Sequence, residues 1–141
     1  MNDPIAMQKR DHREVSAMLK ELADMPKPSA TRRKTTEKVV DALTQHMQIE
    51  EKLVYPLVAR NVGQDEEQEA ETEHVLARDG LSRMSELVDG PGFGAAVAML
   101  TAGIKHHVKE EEIEVFPQLK ESLPRDELAK LGDAVATAKR R

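Results

Sequence analysis

A stretch of eleven residues that occurs twice constrains this chain more than any other feature. It reads His46-Met47-Gln48-Ile49-Glu50-Glu51-Lys52-Leu53-Val54-Tyr55-Pro56, and again His107-Val108-Lys109-Glu110-Glu111-Glu112-Ile113-Glu114-Val115-Phe116-Pro117. In both copies a Glu follows the His by four residues, a second Glu comes next, and an aromatic residue precedes a Pro. On a helix, residues four apart lie one turn above each other, so each copy aims an imidazole and a carboxylate at one point, as a chelating pair does. The similarity reaches further back: His12 lies 34 residues before His46 and His74 lies 33 before His107, each directly after an acid, Asp11 or Glu73. The chain is therefore two similar halves, each of the form His, then His-x-x-x-Glu, and a repeat of this kind sets the architecture.

The expected fold is all-α: a single domain of residues 1–141, with an up-down-up-down four-helix bundle over about 3–122 and a short C-terminal fifth helix over about 124–139. Aromatic residues make up only 2% of the chain and charged residues 33%, a helical composition that argues against a β-sandwich. A first helix runs from Pro4 to Met25, capped by Asn2 or Asp3, and is stopped by Pro26-Lys27-Pro28. The second begins at Ser29 to Thr31 and runs to Val62, with Pro56 bending it or loosening its last turns. The third follows a capping Asp65 and ends at Asp89-Gly90-Pro91-Gly92. The fourth runs from Phe93 to Ser122. After Leu123-Pro124, residues Arg125 to Lys139 form an amphipathic helix, expected as a lid on one end of the bundle.

The polar exceptions in the apolar stripes are all chemically able side chains. The first stripe is Ile5, Gln8, His12, Val15, Leu19, Leu22, and the second is Thr36, Val39, Leu43, His46, Glu50, Leu53, Leu57. The third carries His74 between Ala70 and Ala77, and the fourth carries His107 and Glu111 between Ile104 and Val115. His12 and His46 are each 17 residues from residue 29, and Glu50 and His74 are each 12 from residue 62. In antiparallel helices such pairs lie level, so the polar positions converge within roughly one or two turns of a common height.

Two carboxylates and four imidazoles in a bundle interior are costly unless cations compensate them. The chain has no cysteine, which excludes disulfides, iron–sulfur clusters and thiolate zinc sites and leaves nitrogen and oxygen as ligands. Four His and two bidentate Glu supply about eight donors against the twelve that two octahedral ions need, so positions stay open for a bridge and a small exogenous ligand. Imidazole with carboxylate suits iron better than copper(I), with zinc and manganese as alternatives. The net charge of -5, with basic residues clustered only at Arg32-Arg33-Lys34 and Lys139-Arg140-Arg141, argues against a nucleic-acid partner. The chain shows no apolar signal region and no run of 18 apolar residues, so no membrane association and a cytoplasmic location are expected.

The order His12, His46-x-x-x-Glu50, His74, His107-x-x-x-Glu111, with the second Glu and the aromatic-Pro after each pair, closely resembles the hemerythrin-like (HHE cation-binding) domains, over residues 5 to about 120. The resemblance implies the hemerythrin four-helix bundle, a non-heme, oxo- or hydroxo-bridged pair of iron ions, and His12, His46, Glu50, His74, His107 and Glu111 as their ligands, with Glu50 and Glu111 bridging. Oxygen-carrying hemerythrins place two His four apart on the third helix, whereas here the positions on either side of His74 are Ala70 and Arg78. The fifth His ligand is missing, and Glu73, Glu71, Tyr55 or solvent is left to take its place. The resemblance is to small stand-alone bacterial versions, for which peroxide, oxygen or nitric oxide chemistry is the usual suggestion.

The remaining polar residues have plainer readings. His106 is out of register with Pro117 and is expected beside the site or at the surface. Glu51 and Glu112, 100° around the helix from the ligand Glu, are expected in solvent or behind the ligands, and Asp11 and Glu73 as surface charges. The acidic run from Gln64 to Glu73 reads as a solvated helix start. Tyr55, about 140° from Glu50 on an ideal helix and matched by Phe116 in the other half, is expected in the core. Because Pro56 disturbs the helix just there, its phenol is also a candidate ligand or redox partner, and so a candidate catalytic residue. The leading functional expectation is a catalase- or peroxidase-like reaction with H2O2 in oxidative or nitrosative stress defence. The alternative is a module that binds or senses O2 or NO. Iron storage or donation ranks lower, because ferritin-like bundles use Glu-x-x-His on two helices and only Glu71 to His74 matches. A metal-free helical interaction protein is the remaining possibility.

Overall fold

The computed structural model describes residues 2–141 and is helical throughout, with no strand among the described residues. Helix α1 spans Pro4–Ala23, α2 Ala30–Ile49, α3 Tyr55–Asn61, α4 Gln64–Glu86, α5 Phe93–Glu110, α6 Phe116–Ser122 and α7 Arg125–Lys139. Two π-helical turns, Glu50–Val54 and Glu111–Val115, join α2 to α3 and α5 to α6, so that each pair makes one continuous rod. The four rods α1, α2–α3, α4 and α5–α6 close into a ring: α1 packs on α2 and α5, and α4 packs on α5 and on both α2 and α3. The expected four-helix bundle with a fifth helix is the architecture found.

Local chemistry accounts for most helix ends. Asp3 accepts hydrogen bonds from the N–H groups of Ile5 and Ala6, with Pro4 at the first helical position where its missing N–H costs nothing. Ser29 Oγ accepts from Arg32 N at 3.0 Å. α4 starts one residue before the expected cap, at Gln64, and Asp65, Glu66 and Glu67 instead line its first turn, where the helix dipole favours negative charge. Gly92, before α5, has φ 93°, a left-handed conformation that glycine adopts without penalty.

The core is in two parts. One contains Leu19, Leu22, Val39, Met84, Phe93 and Val97 at the end of the bundle near the α4–α5 turn, where buried Arg32 lays its guanidinium 3.8 Å over the Phe93 ring. The other contains Val54, Val58, Phe116, Leu119, Leu131 and Val135. The six predicted donors fall between these clusters and are all buried. α7 does more than close one end: it packs along α1, α2 and the first π-turn. Its Gly132 is pressed so closely against the Asn2 carbonyl that a Cβ would overlap it.

Candidate metal centre

Each half reaches the centre through a π-turn, and the proline explains why. A proline ring in an α-helix clashes with the carbonyl four residues earlier and leaves it without a donor. Here the helix widens before Pro56 and Pro117, and the N–H groups of Tyr55 and Phe116 bond five residues back, to the carbonyls of Glu50 and Glu111. The widening moves the inward stripe on by one residue. Val54, Tyr55 and Val58 are buried, whereas the expected Leu53 and Leu57 are only partly so. The 140° that an ideal helix puts between Glu50 and Tyr55 does not hold, and the phenol swings inward over Glu50.

Two groups of donors result, and they share both carboxylates. His12, His46, Glu50 and Glu111 form one, and Glu50, His74, His107 and Glu111 the other, the donor atoms of each lying within 4.8 Å of one another. In the first, His12 Nε2 is 3.2 Å from Glu111 Oε1 and His46 Nε2 is 3.2 Å from Glu50 Oε1. These pairs are close without hydrogen-bond geometry. His12 Nε2, His46 Nε2, Glu50 Oε2 and Glu111 Oε1 are all buried with no hydrogen-bond partner. Buried polar atoms are rarely left so, and four converging on one place fit a cation.

In the second group the Tyr55 hydroxyl lies among the donors. It is 2.7 Å from Glu111 Oε2, 2.9 Å from His74 Nε2, 3.2 Å from Glu50 Oε1 and 3.3 Å from His107 Nε2. One phenolic proton cannot serve four neighbours. Adjacent ligands of an octahedral ion with bonds near 2.1 Å lie about 3 Å apart, which is the spacing seen here. Of the four alternatives for the missing His, the phenol is the one placed against both imidazoles.

A model of the hemerythrin HHE cation-binding domain matches residues 3–119, all six donors included. The chain belongs to this family. Its fold is also that of a solved hemerythrin HHE cation-binding domain-containing protein from Mycobacterium kansasii, with a TM-score of 0.85 and 22% identity over 99% of this chain and 86% of that one. Among curated proteins none matches the chain.

Around this hemerythrin-type centre lies a second layer, of which Glu51 and Glu112 were expected behind the central donors and Asp11 and Glu73 were not. Asp11 and Glu73 are not surface charges. His46 Nδ1 donates to Asp11 at 3.0 Å and His107 Nδ1 to Glu73 at 2.6 Å. Glu112 and Glu51 complete the set, accepting from His12 Nδ1 and His74 Nδ1, each at 2.7 Å. Every central imidazole thus gives its Nδ1–H to a carboxylate and turns Nε2 inward, the arrangement that orients histidine ligands and raises their basicity. The only sequence signal for this was that each carboxylate adjoins a donor in the chain.

Cations stand behind two of the four carboxylates. Arg78 clamps Glu51 at 2.8 and 2.9 Å, and Lys139 of α7 pairs with Asp11. His106 is exposed, as expected, and contacts Glu73 at 3.4 Å and Glu110 at 2.9 Å away from the central donors. Glu71 takes no part in the centre.

The electrostatics favour positive charge at the centre. Burial opposes protonation of His46, but the Glu50 charge and the hydrogen bond to Asp11 push it up to about 10. Burial is likewise outweighed at His107, which Glu111, Glu50 and Glu73 push up to about 12. Despite complete burial, Glu50 is held well below the ordinary carboxylate range by His46, with hydrogen bonds from His107 and His74. Tyr55 is pushed well above the usual phenol range, by burial first and then by Glu50 and Glu111, so it keeps its proton. Ions bound here would displace protons, making affinity rise with pH.

Proposed function

We propose that the chain holds two iron ions and turns over hydrogen peroxide in a catalase-like cycle that protects the cell from oxidative stress. His12 and His46 would hold one ion, His74, His107 and the Tyr55 oxygen the other, with Glu50 and Glu111 shared between them. What carries this reading is the set of orphaned donor atoms beside a phenol-filled group: two cation positions of unequal completeness, built from imidazole and carboxylate without thiolate. Bound iron supplies a pair of redox-active Lewis acids at which peroxide is both oxidised and reduced, so that two H2O2 give one O2 and two H2O.

The residues of the chain bind, orient and hold protons. The four outer carboxylates keep each imidazole in one tautomer with Nε2 facing Glu50 or Glu111. Before an ion binds, the Tyr55 hydroxyl, 2.7 Å from Glu111, holds a proton inside the site, which its oxygen would release on becoming a ligand. The two apolar clusters flank the centre on either side. Oxygen evolution from H2O2 by the iron-loaded protein, measured with an oxygen electrode and lost in His74→Ala, is the expected result; turnover no faster than free iron refutes the reading. Reversible O2 or NO binding is the second reading, favoured by an apolar cleft that opens onto the imidazoles. A ligand-dependent absorption spectrum reversed by degassing would select it. With no helix among those described long and apolar enough to cross a membrane, the proposed site of action is the cytoplasm.

A further inference from the structure

That cleft has a volume of about 760 Å³. All four central imidazoles, His12, His46, His74 and His107, form its floor. Its inner walls are Val15, Leu43, Met47, Leu100 and Ile104, from α1, α2 and α5. Towards solvent it runs between α4 and α5 along small residues, Ala77 and Gly80 on one side and Ala95, Ala96, Ala102 and Gly103 on the other. The missing side-chain volume is what leaves the space open. Two large apolar side chains stand exposed at the rim, Leu76 at 64% and Met99 at 75%.

Lining residues extend along α5 from His107 back to Gly92, about 22 Å of helix and turn at 1.5 Å per residue, enough for an extended chain of roughly a dozen carbons. Hydrogen peroxide needs no such space. It is small and strongly hydrated, and an apolar wall of this extent gives it nothing to bind. A molecule with one polar end and a long apolar body fits both parts: the polar end at the floor, beside the ions that the four imidazoles would hold, and the body along the α4–α5 walls.

We propose that this cleft binds the alkyl chain of a straight-chain organic hydroperoxide and places its O–O group at the candidate metal centre. The inference rests on the peroxide reading above and deepens it by naming the substrate class. In one turnover the O–O bond breaks, two electrons from a ferrous pair and two protons are taken up, and an alcohol and water leave. The alcohol is also a non-reacting probe of the same cleft.

Calorimetric titration of the iron-loaded protein with 1-butanol, 1-hexanol and 1-octanol tests the cleft directly. Single-turnover reduction of the matching alkyl hydroperoxides by the ferrous protein tests the substrate class. Alcohol affinity and the second-order rate constant of the single-turnover reduction should each rise by up to about fourfold per added methylene, as apolar burial dictates. Gly103→Phe is placed where an added Cβ meets nothing within 4 Å, and it replaces a poor helix former, so folding is preserved. Ala96→Phe narrows the same groove one to two turns away. Either variant should weaken octanol binding at least tenfold and flatten the chain-length series, leaving oxygen release from H2O2 unchanged. Flat series for alcohols and hydroperoxides alike, with H2O2 still turned over, would overturn this inference and leave the peroxide reading intact. Steep series for both, without oxygen release from H2O2, would overturn the catalase reading and leave the cleft assignment standing.

Discussion

The two halves of the centre descend from one repeated pattern, yet they are chemically unequal, and the inequality traces to a single oxygen. Tyr55 follows Glu50 as Phe116 follows Glu111, each after a π-turn and before a proline. The Tyr55 hydroxyl enters the His74–His107 group and touches four donors. Phe116 lies parallel to the His12 ring, its centroid 6.1 Å away, and brings the other group no polar atom. One group thus has a phenol in contact with its donors before any ion arrives, and the other is left with four orphaned donors. A repeated His-x-x-x-Glu pattern therefore sets two groups of donors that could each hold a cation, while the residue five positions after each Glu makes the groups unequal.

Removing a shared carboxylate should erase the comparison altogether. Glu50→Ala is expected to reduce bound metal below one ion per chain, whereas His12→Ala should retain the second ion. Plasma mass spectrometry of both variants decides this, and equal losses would mean that the carboxylates are not shared. Exchanging the aromatic residues is the next largest effect. Tyr55→Phe orphans the second group as the first already is, and should lower the stability of the metal-stripped protein by about 1–3 kcal/mol in urea melts, the cost of unsatisfied buried polar groups. Phe116→Tyr brings a hydroxyl to the first group and should cost less than Tyr55→Phe; equal penalties would show that the phenol is packing and nothing more.

The outer carboxylates sharpen the same contrast. Asp11→Asn and Glu112→Gln act on His46 and His12, and each should weaken the first ion roughly 10- to 100-fold while sparing the second. Glu51→Gln and Glu73→Gln should do the reverse, read by competition with a chromophoric chelator. Proton linkage separates the halves more gently. Histidines whose folded pKa is raised contribute stability that is full below the unfolded value of about 6.5 and is lost as pH rises through the folded one. In the metal-stripped protein the His46 contribution should fade as pH rises from 6.5 through about 10, and that of His107 should persist towards about 12. Melts of His46→Gln and His107→Gln between pH 6 and 10 check the order. The smallest effect is expected at Lys139, whose partly exposed pairing with Asp11 should be worth less than about 1 kcal/mol, so Lys139→Ala should shift the melt only slightly.

What the sequence determined by itself is local in origin. His-x-x-x-Glu is one helical turn, and equal spacing from a turn sets equal height, so four rods and six inward donors follow without knowledge of the packing. The partner that each imidazole finds for its Nδ1–H lies 23, 34, 35 or 100 residues away, beyond any spacing rule, which is why Asp11 and Glu73 looked like surface charges. Tyr55 lies in the core as expected, but where its hydroxyl points was hidden for a different reason. An ideal helix turns it away, and only the widening that the packed rod adopts to keep Pro56 brings its hydroxyl over Glu50. The cleft, too, belongs to tertiary structure: the alanines and glycines of α4 and α5 are unremarkable in each helix and become a passage only where the two helices face each other.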